Sequence, residues 1–241
     1  MSNSHSHPKI YPSIIAADFG RLSEEAKRLE AAGADGIHID IMDGHFVPNL
    51  TLGPAAVAAI KRSTKLFIDV HIMVYSPFDY VERLVSSGAD CITFHFEATE
   101  DLEDTLNFIK KCGVKAGLAF RPETSESFAV KFVHKFDKIL LMTVNPGFGG
   151  QAFLPEVLPK VELVSDLTKK MRVTEGGKYA KVGDDSFKPY VIQVDGGIDF
   201  STGKQCVAAG ANELVVGTYL FNNKGGSLEE KITKLKGLKS F

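Results

Sequence analysis

The sequence Asp-Gly-Ile-His-Ile-Asp-Ile-Met-Asp-Gly at residues 35–44 is typical of a β-strand that ends in a glycine turn. Successive side chains of a strand point to opposite faces, so the isoleucines share one face while His38, Asp40 and Met42 share the other. The isoleucine face is typical of a buried packing surface. Because burying a carboxylate is costly unless it is paired or bound to a metal, we predict that the other face forms half of an active site.

The connection that leads into this strand occurs three times in the chain, at residues 31–35, 86–90 and 208–212. Each copy closes a predicted helix with a glycine suited to the left-handed C′ position and then enters an apolar strand. Strands that alternate with helices indicate a parallel sheet of the α/β class. Eight such units predict a (β/α)8 TIM barrel. The glycine-rich first turn of a dinucleotide-binding fold is absent after the first strand.

The hydrophobic pattern predicts the bounds of the eight strands and one domain. We expect residues 1–8 to form a flexible lead-in and residues 9–241 to form a single barrel. The polar stretch 174–188 predicts a surface insertion at the N-terminal end of the barrel, away from the chemistry. The predicted strands are 9–15, the strand within the stretch 35–44 quoted above, 66–73, 91–96, 115–120, 138–144, 190–195 and 213–216.

Charge and composition exclude several classes of function. The net charge is −2 and no long basic run is present, which gives nucleic-acid binding no electrostatic basis. No apolar run approaches the roughly 20 residues of a membrane span, so we expect no membrane contact. The three cysteines show neither disulfide nor metal-site spacing, which predicts a reducing compartment and a cytoplasmic location.

Polar side chains gather where the predicted strands end, which is where barrel active sites lie. A single histidine on a strand is more often a satisfied core residue, but two histidines and two aspartates at equivalent strand ends favour a metal site. Imidazole and carboxylate ligands together suit one divalent ion of zinc, iron, manganese or cobalt. His95 and Glu97 form a further polar pair, which either supports these ligands or makes a structural hydrogen bond. The four predicted ligands are His38, Asp40, His71 and Asp195.

Glycine-rich segments follow strands six, seven and eight, at residues 148–150, 196–197 and 217–218. Glycines allow backbone N–H groups to approach a phosphate, and barrel phosphate sites often follow strands seven and eight. Three ordinary turns are the alternative, but three adjacent glycine segments favour a phosphate site.

Lysines at the active rim would indicate imine chemistry. Here Lys9, Lys115 and Lys138 all stand at the starts of predicted strands, on the opposite rim. Their placement weakens a Schiff-base mechanism.

Five motifs, in order along nearly the whole barrel, resemble the ribulose-phosphate 3-epimerase family. The resemblance implies a TIM barrel of the ribulose-phosphate-binding type. Thr143 and Thr218 stand where the family commonly has serine, and both keep a hydroxyl group. The insertion at 174–188 is longer than the usual family connection. The motifs are PSI at 12–14, HIDIMDGHFVPN at 38–49, DVHIM at 69–73, VNPGFGGQ at 144–151 and VDGGI at 194–198.

The resemblance implies a role for each candidate residue. It implies that Asp40 and Asp195 are the two acid/base groups, one on each face of the sugar. Both are also expected to hold the metal, together with His38 and His71. Ser13 is expected to touch the substrate near the metal, and the two histidines adjoin the substrate as well. The methionines expected to cap the reacting carbons, or equally to fill the barrel, are Met42, Met73 and Met142. The residues expected to hold the phosphate are Gly147, Phe148, Gly149, Gly150, Gly196, Gly197, Gly217 and Thr218.

The activity that the resemblance implies is epimerisation at C3, interconverting D-ribulose 5-phosphate and D-xylulose 5-phosphate through an enediolate in the pentose phosphate pathway. It also implies a small phosphorylated ketose as substrate and a homo-oligomer. The nearest alternative is a 3-epimerase of a six-carbon ketose phosphate. A lyase or decarboxylase on a related barrel is disfavoured by the missing rim lysines. A non-catalytic sensor is disfavoured because binding alone does not need both Asp40 and Asp195.

Overall fold

A computed structural model describes residues 7–181 and 188–239, and within these ranges eight strands alternate with α-helices. The strands are β1 (Lys9–Pro12), β2 (Gly36–Met42), β3 (Phe67–Met73), β4 (Cys91–His95), β5 (Lys115–Phe120), β6 (Lys138–Met142), β7 (Val191–Asp195) and β8 (Glu213–Val216). The α-helices are α1 (Leu22–Ala31), α2 (Pro54–Lys61), α3 (Val81–Ser86), α4 (Leu102–Lys111), α5 (Glu126–Phe132), α6 (Leu158–Lys170), α7 (Phe200–Ala209), α8 (Thr218–Phe221) and α9 (Leu228–Lys236).

All strand pairs are parallel and follow the order β1-β8-β7-β6-β5-β4-β3-β2. The two ends of this order meet at a parallel bridge between Ser13 and His38, and the Asp35 N–H donates to the Ile10 carbonyl at 3.0 Å. The sheet is therefore a nearly closed barrel, and the predicted TIM-barrel fold is confirmed.

Strand β2 shows why the polar and apolar faces separate. Ile37, Ile39 and Ile41 are buried in the main apolar core. The alternating residues point to the opposite face, into the barrel interior. Pairing with β3 places His38 beside Asp69 and Asp40 beside His71. This register brings the polar residues of two strands together.

The predicted strands run too far at their C-terminal ends in three places. The chain turns into short 3-10 helices at Ile14–Ala16 and Phe96–Ala98, and β6 stops at Met142. Apolar residues continue into these βα connections, so hydrophobic pattern alone extends the strands. The sequence also did not predict α8, whose four residues are too few for a helical period to show.

The predicted lead-in and insertion lie partly outside the described residues, which exclude 1–6 and 182–187. Pro8 is buried directly before β1. In the insertion, Thr174 pairs with Pro189, and the Glu175 carboxylate lies 2.7 Å from the ammonium of Lys115, the first residue of β5. Across the described ranges, no helix combines the length and apolar character needed to cross a bilayer.

Candidate active site

Four side chains from three strands converge at the C-terminal end of the barrel. His38 and Asp40 come from β2, His71 from β3 and Asp195 from the end of β7, and one ligand atom of each lies within 4.8 Å of the others. The Asp40 Oδ1 atom is 3.3 Å from His38 Nε2 and 3.1 Å from His71 Nδ1. The Asp195 Oδ2 atom is 3.8 Å and 3.9 Å from the same two nitrogens. Ligands about 2.0–2.2 Å from one tetrahedral cation lie roughly 3.4 Å apart, so this spacing fits a single metal ion.

The hydrogen bonds of His38 also fit a cation. Its Nδ1 atom is 2.9 Å from Asp69 Oδ2, and an ionised carboxylate only accepts, so Nδ1 carries the proton. When the ring is neutral, as a metal ligand must be, the lone pair of Nε2 then points into the site. In the part of the chain that the structure describes, this buried nitrogen has no hydrogen-bond partner. A buried nitrogen facing two carboxylates is the arrangement that a bound cation satisfies.

The two carboxylates of the site differ in their tendency to hold a proton. Burial raises the pKa of Asp40, but His38 and His71 lower it by more, so that it lies well below its usual range. For Asp195, burial and the nearby Asp40 carboxylate raise the pKa to about 7. Burial alone would lower the pKa of His38, but the Asp40 and Asp69 carboxylates raise it to about 10, whereas burial lowers the pKa of His71 to about 4. The site thus favours a positive charge on His38, and its two carboxylates differ in pKa: that of Asp40 is lowered and that of Asp195 is raised.

A buried polar network lies directly beneath the site, and sequence reasoning missed most of it. Lys138 was predicted at a strand start on the opposite rim, and it does begin β6, but its Nζ atom lies inside the barrel. It donates to Asp69 Oδ1 at 2.5 Å and to Gln193 Oε1 at 2.9 Å. Gln193 Nε2 donates to the other oxygen of Asp69 at 2.8 Å. The available signal was spacing, because Lys138 stands four residues before Met142 on the same strand face.

Ser13 and the three methionines surround the reactive carboxylates. The Ser13 hydroxyl donates to Asp40 Oδ2 at 2.6 Å, leaving Oδ1 directed at the histidines. Met42 and Met73 are buried in one apolar cluster and Met142 in another, yet all three also line the cavity above the site. They therefore fill the barrel and face the cavity at once, while their contact with the reacting carbons stays a prediction.

The cavity above these residues has a volume of about 300 Å³ and brings the glycine segments together. No lysine or arginine within the described ranges lines it. Ser13, Asp40 and Asp195 lie among its lining, whereas His38 and His71 are fully buried behind it. The predicted phosphate residues that line the cavity are Gly147, Phe148, Gly149, Gly150, Gly196, Gly197, Gly217 and Thr218.

Of these glycines, Gly147, Gly150, Gly196 and Gly197 have a positive φ, and at the last two a side chain would also clash with the neighbouring chain. Gly196 has a φ of +121°, and a Cβ there would lie 2.4 Å from Val144 Cγ2. Gly197 has a φ of +63°, and its Cβ would lie 2.7 Å from the Phe153 backbone nitrogen. Gly149 and Gly217, by contrast, have no such clash. The chain after β7 therefore packs tightly against the chain after β6, which fixes the walls of the cavity.

The polar pair of His95 and Glu97 joins the site through His71. His95 Nε2 lies 2.9 Å from His71 Nε2, and His95 Nδ1 lies 3.1 Å from Glu97 Oε2. Glu97 follows β4 in a short 3-10 helix and not in the strand itself. Of the two roles left open by the sequence, the contact with His71 favours support of the ligands.

Comparison with known proteins agrees with this geometry. Residues 9–221 match the family described as "Ribulose-phosphate 3 epimerase family". A protein of Chlamydia pneumoniae named ribulose-phosphate 3-epimerase is 49% identical over 228 residues, covering 95% of this chain and 94% of its own. A Bacillus subtilis protein of the same name is 42% identical over 231 residues, covering 96% and 99%.

Solved structures support the fold alone. A mutant tryptophan synthase alpha-subunit from Pyrococcus furiosus superposes with a TM-score of 0.65. The superposition covers 97% of this chain and 98% of that one, at 13% sequence identity. The superposition shows that the two proteins share an architecture. At this identity it says nothing about the reaction.

Proposed function

The chain belongs to the ribulose-phosphate 3-epimerase family, and we propose that it interconverts D-ribulose 5-phosphate and D-xylulose 5-phosphate by inverting C3. The observation that carries this proposal is the convergence of Asp40 and Asp195, from β2 and β7, beside two histidines under one cavity. The finer assignments of metal, acid/base groups and substrate contacts are proposed from the same geometry.

The residues His38, Asp40, His71 and Asp195 would hold one divalent ion of zinc, iron, manganese or cobalt. When bound, such an ion supplies Lewis-acid stabilisation of the negative charge that develops on the substrate oxygens. The orphaned Nε2 of His38 and the four ligand separations of 3.1–3.9 Å support this assignment.

Inversion at a carbon needs one group that removes a proton and another that returns one to the opposite face. Asp40 and Asp195 stand on separate strands and both border the cavity, so each can face one side of a bound sugar. We assign them as the acid/base pair. Ser13 fixes the orientation of Asp40 through its hydrogen bond to Oδ2.

The remaining cavity residues bind the rest of the sugar phosphate. The sulfur and methyl groups of Met42, Met73 and Met142 give contact without an exchangeable proton that could quench a carbanionic species. The glycine segments supply backbone N–H groups for the phosphate. This fits a cavity whose lining, across the described part of the chain, contains no cationic side chain.

Solvent exchange tests the proposal directly. The metal-supplemented enzyme is incubated with D-ribulose 5-phosphate in D₂O, and the sugars are followed by NMR. We expect deuterium at C3 together with formation of D-xylulose 5-phosphate. The absence of both from a folded, metal-loaded sample would refute the assignment.

Substrate size is tested by comparing kcat/KM for ribulose 5-phosphate and for a six-carbon ketose 6-phosphate. We expect the five-carbon sugar to be favoured, in line with the named relatives. A higher kcat/KM for the six-carbon sugar would instead favour the alternative stated above. The cytoplasmic location and the homo-oligomeric state stay predictions.

A further inference from the structure

A chain of three contacts links the two carboxylates of Asp40 and Glu97 through two buried histidine rings. Asp40 Oδ1 lies 3.1 Å from His71 Nδ1. His71 Nε2 lies 2.9 Å from His95 Nε2, and His95 Nδ1 lies 3.1 Å from Glu97 Oε2. We call this chain the histidine relay. Both rings are fully buried, which favours their neutral forms.

Counting protons shows that the histidine relay cannot satisfy all three contacts by itself. Two neutral rings carry two ring protons, and carboxylates carry none. One of the three contacts must therefore bring two acceptors together. If a cation lies between Asp40 and His71, it satisfies that contact, and both protons then point away from it. His71 Nε2 donates to His95, and His95 Nδ1 donates to Glu97.

The far end of the histidine relay is held in place to accept a hydrogen bond. Glu97 Oε1 already accepts the Arg121 backbone N–H at 2.9 Å and the Thr124 hydroxyl. Lys160 holds this loop by donating to the carbonyl oxygens of Arg121, Pro122 and Thr124. The other oxygen of Glu97 is therefore turned to His95 by fixed donors. Glu97 Oε2 is thereby left to accept a hydrogen bond from His95 Nδ1.

We propose that His95 and Glu97 are positioning residues that hold His71 in the tautomer whose Nδ1 lone pair binds the metal. This inference rests on the metal site proposed above. It differs from the role of Asp69 at His38, because the acceptor here acts through a second ring. The histidine relay runs from β2 through β3 and β4 to Glu97 after β4, and Glu97 is held by the loop after β5. Residues that do not line the cavity therefore set the donor quality of a ligand.

The variant Glu97→Gln tests the direction of the relay without removing its volume. The backbone N–H of Arg121 must still find an acceptor, so the amide oxygen is expected to face Arg121 and the NH₂ group to face His95. His95 Nδ1 then accepts, its Nε2 donates to His71, and the proton of His71 moves to Nδ1. The N–H formed at Nδ1 can donate to Asp40 Oδ1 at 3.1 Å. Nδ1 then has no free lone pair for the metal.

The experiment combines long-range ¹⁵N–¹H NMR of the histidine rings with zinc and cobalt affinity measured by calorimetry. For the zinc-loaded wild type we expect the proton of His71 on Nε2 and that of His95 on Nδ1. Without metal we expect the same proton positions in wild type but both protons on the other nitrogens in Glu97→Gln, with metal affinity of the variant about 10–100-fold weaker. The matched control is Glu123→Gln, which removes an exposed carboxylate of the same loop region and should behave as wild type.

Variants at His95 give a second, independent reading. In His95→Gln the side-chain oxygen can still accept from His71, whereas His95→Leu offers no acceptor at all. We expect the affinity for cobalt to fall more in His95→Leu than in His95→Gln. Equal affinities in these two folded variants, or unchanged tautomers and affinity in Glu97→Gln, would overturn the relay.

Failure of the relay is distinguishable from failure of the proposed function. If wild type binds the metal and epimerises the sugar but Glu97→Gln matches it, only the relay is wrong. If wild type binds no divalent ion, the metal-dependent function fails. In that case the ring protons of metal-free Glu97→Gln still decide the direction of the histidine relay.

Discussion

The two ends of the barrel both bury carboxylates, but they balance the negative charge in different ways. At the N-terminal end each carboxylate faces a lysine: Asp69 faces Lys138 at 2.5 Å, and Glu213 faces Lys9 at 3.4 Å. At the C-terminal end, Asp40 and Asp195 face two imidazoles instead. Among the described residues, the cavity there is lined by neither lysine nor arginine.

The difference shows what each end of the barrel is built to do. Burying a carboxylate without a positive partner is costly, so a stable fold supplies the partner from its own chain wherever it can. The N-terminal end follows this rule. At the C-terminal end the partners are imidazoles, which either carry a proton, as the raised pKa of His38 favours, or bind a metal ion supplied from outside.

The substitution Asp195→Asn should give the largest effect, because it breaks the C-terminal arrangement in both of its proposed roles. It removes one acid/base group and one metal ligand while keeping the side-chain volume. We expect kcat to fall by about 10²–10⁴-fold, the usual contribution of a positioned acid or base. The measurement is the initial rate of xylulose 5-phosphate formation, with circular dichroism to show that the fold is kept.

The matched control is Asp166→Asn, which removes an exposed carboxylate from α6 far from the site. It should leave kcat unchanged. A wild-type rate in Asp195→Asn would contradict the acid/base assignment. Asp195 would then have only a structural role, like the carboxylates at the N-terminal end.

The sequence predicted the barrel and the convergence of the four candidate ligands at one rim because both depend on local patterns. Alternation along β2 and β3 separates polar from apolar faces, and the C-terminal ends of parallel strands must meet at one rim. The bounds of β5 and β8 match the prediction residue for residue.

Contacts across the barrel could not be predicted in the same way. Spacing puts Lys138 on the inner face with Met142, but only the stagger of the strands decides that its ammonium meets Asp69. The same holds for His95, which contacts His71 although the register of β3 and β4 pairs His71 with Thr93. Sequence pattern fixes the face of a residue, whereas its partner depends on the closed geometry.

The substitution Lys138→Met tests the N-terminal end. It removes the positive charge and keeps the apolar stem, so Asp69 stays buried with only polar partners. Despite the burial of both groups, this lysine holds the pKa of Asp69 below its usual range. Breaking a buried pair typically costs about 3–5 kcal/mol, and we expect a loss of that size in the free energy of unfolding in urea.

Lys115→Met is the control, because its partner Glu175 is partly exposed and the pair is worth less than about 1 kcal/mol. If Lys138→Met costs no more than Lys115→Met, the charge pairing inside the barrel is not what stabilises the N-terminal end.

Adding a divalent ion should stabilise the protein through the C-terminal end alone. At a free concentration of 100 times the dissociation constant, binding to the folded state adds about 2.7 kcal/mol to the free energy of unfolding. We expect this gain in wild type and in Lys115→Met, and its loss on chelation or in Asp195→Asn. Calorimetric Tm with and without metal measures it. A gain that survives in Asp195→Asn would place the ion elsewhere.

The smallest effect should come from the insertion at the N-terminal end. Thr174 and Pro189 pair in antiparallel orientation, so an Asn-Gly turn can replace residues 175–188 without separating the flanking chain. The replacement removes the Glu175–Lys115 pair, whose side chains are 24% and 46% exposed and which is worth less than about 1 kcal/mol. It also removes the ring contact of Tyr179 with His134 and the bridge of Tyr179 with Val173. We expect kcat to stay within about twofold of wild type, because the replaced segment lies before the start of β7 and contacts the start of β5, while the proposed acid/base groups lie at the other end of the barrel. A large loss of kcat in the folded variant would show that the two ends are coupled. The contrast between an N-terminal end that pairs its carboxylates with lysines and a C-terminal end that binds a metal ion would then no longer hold.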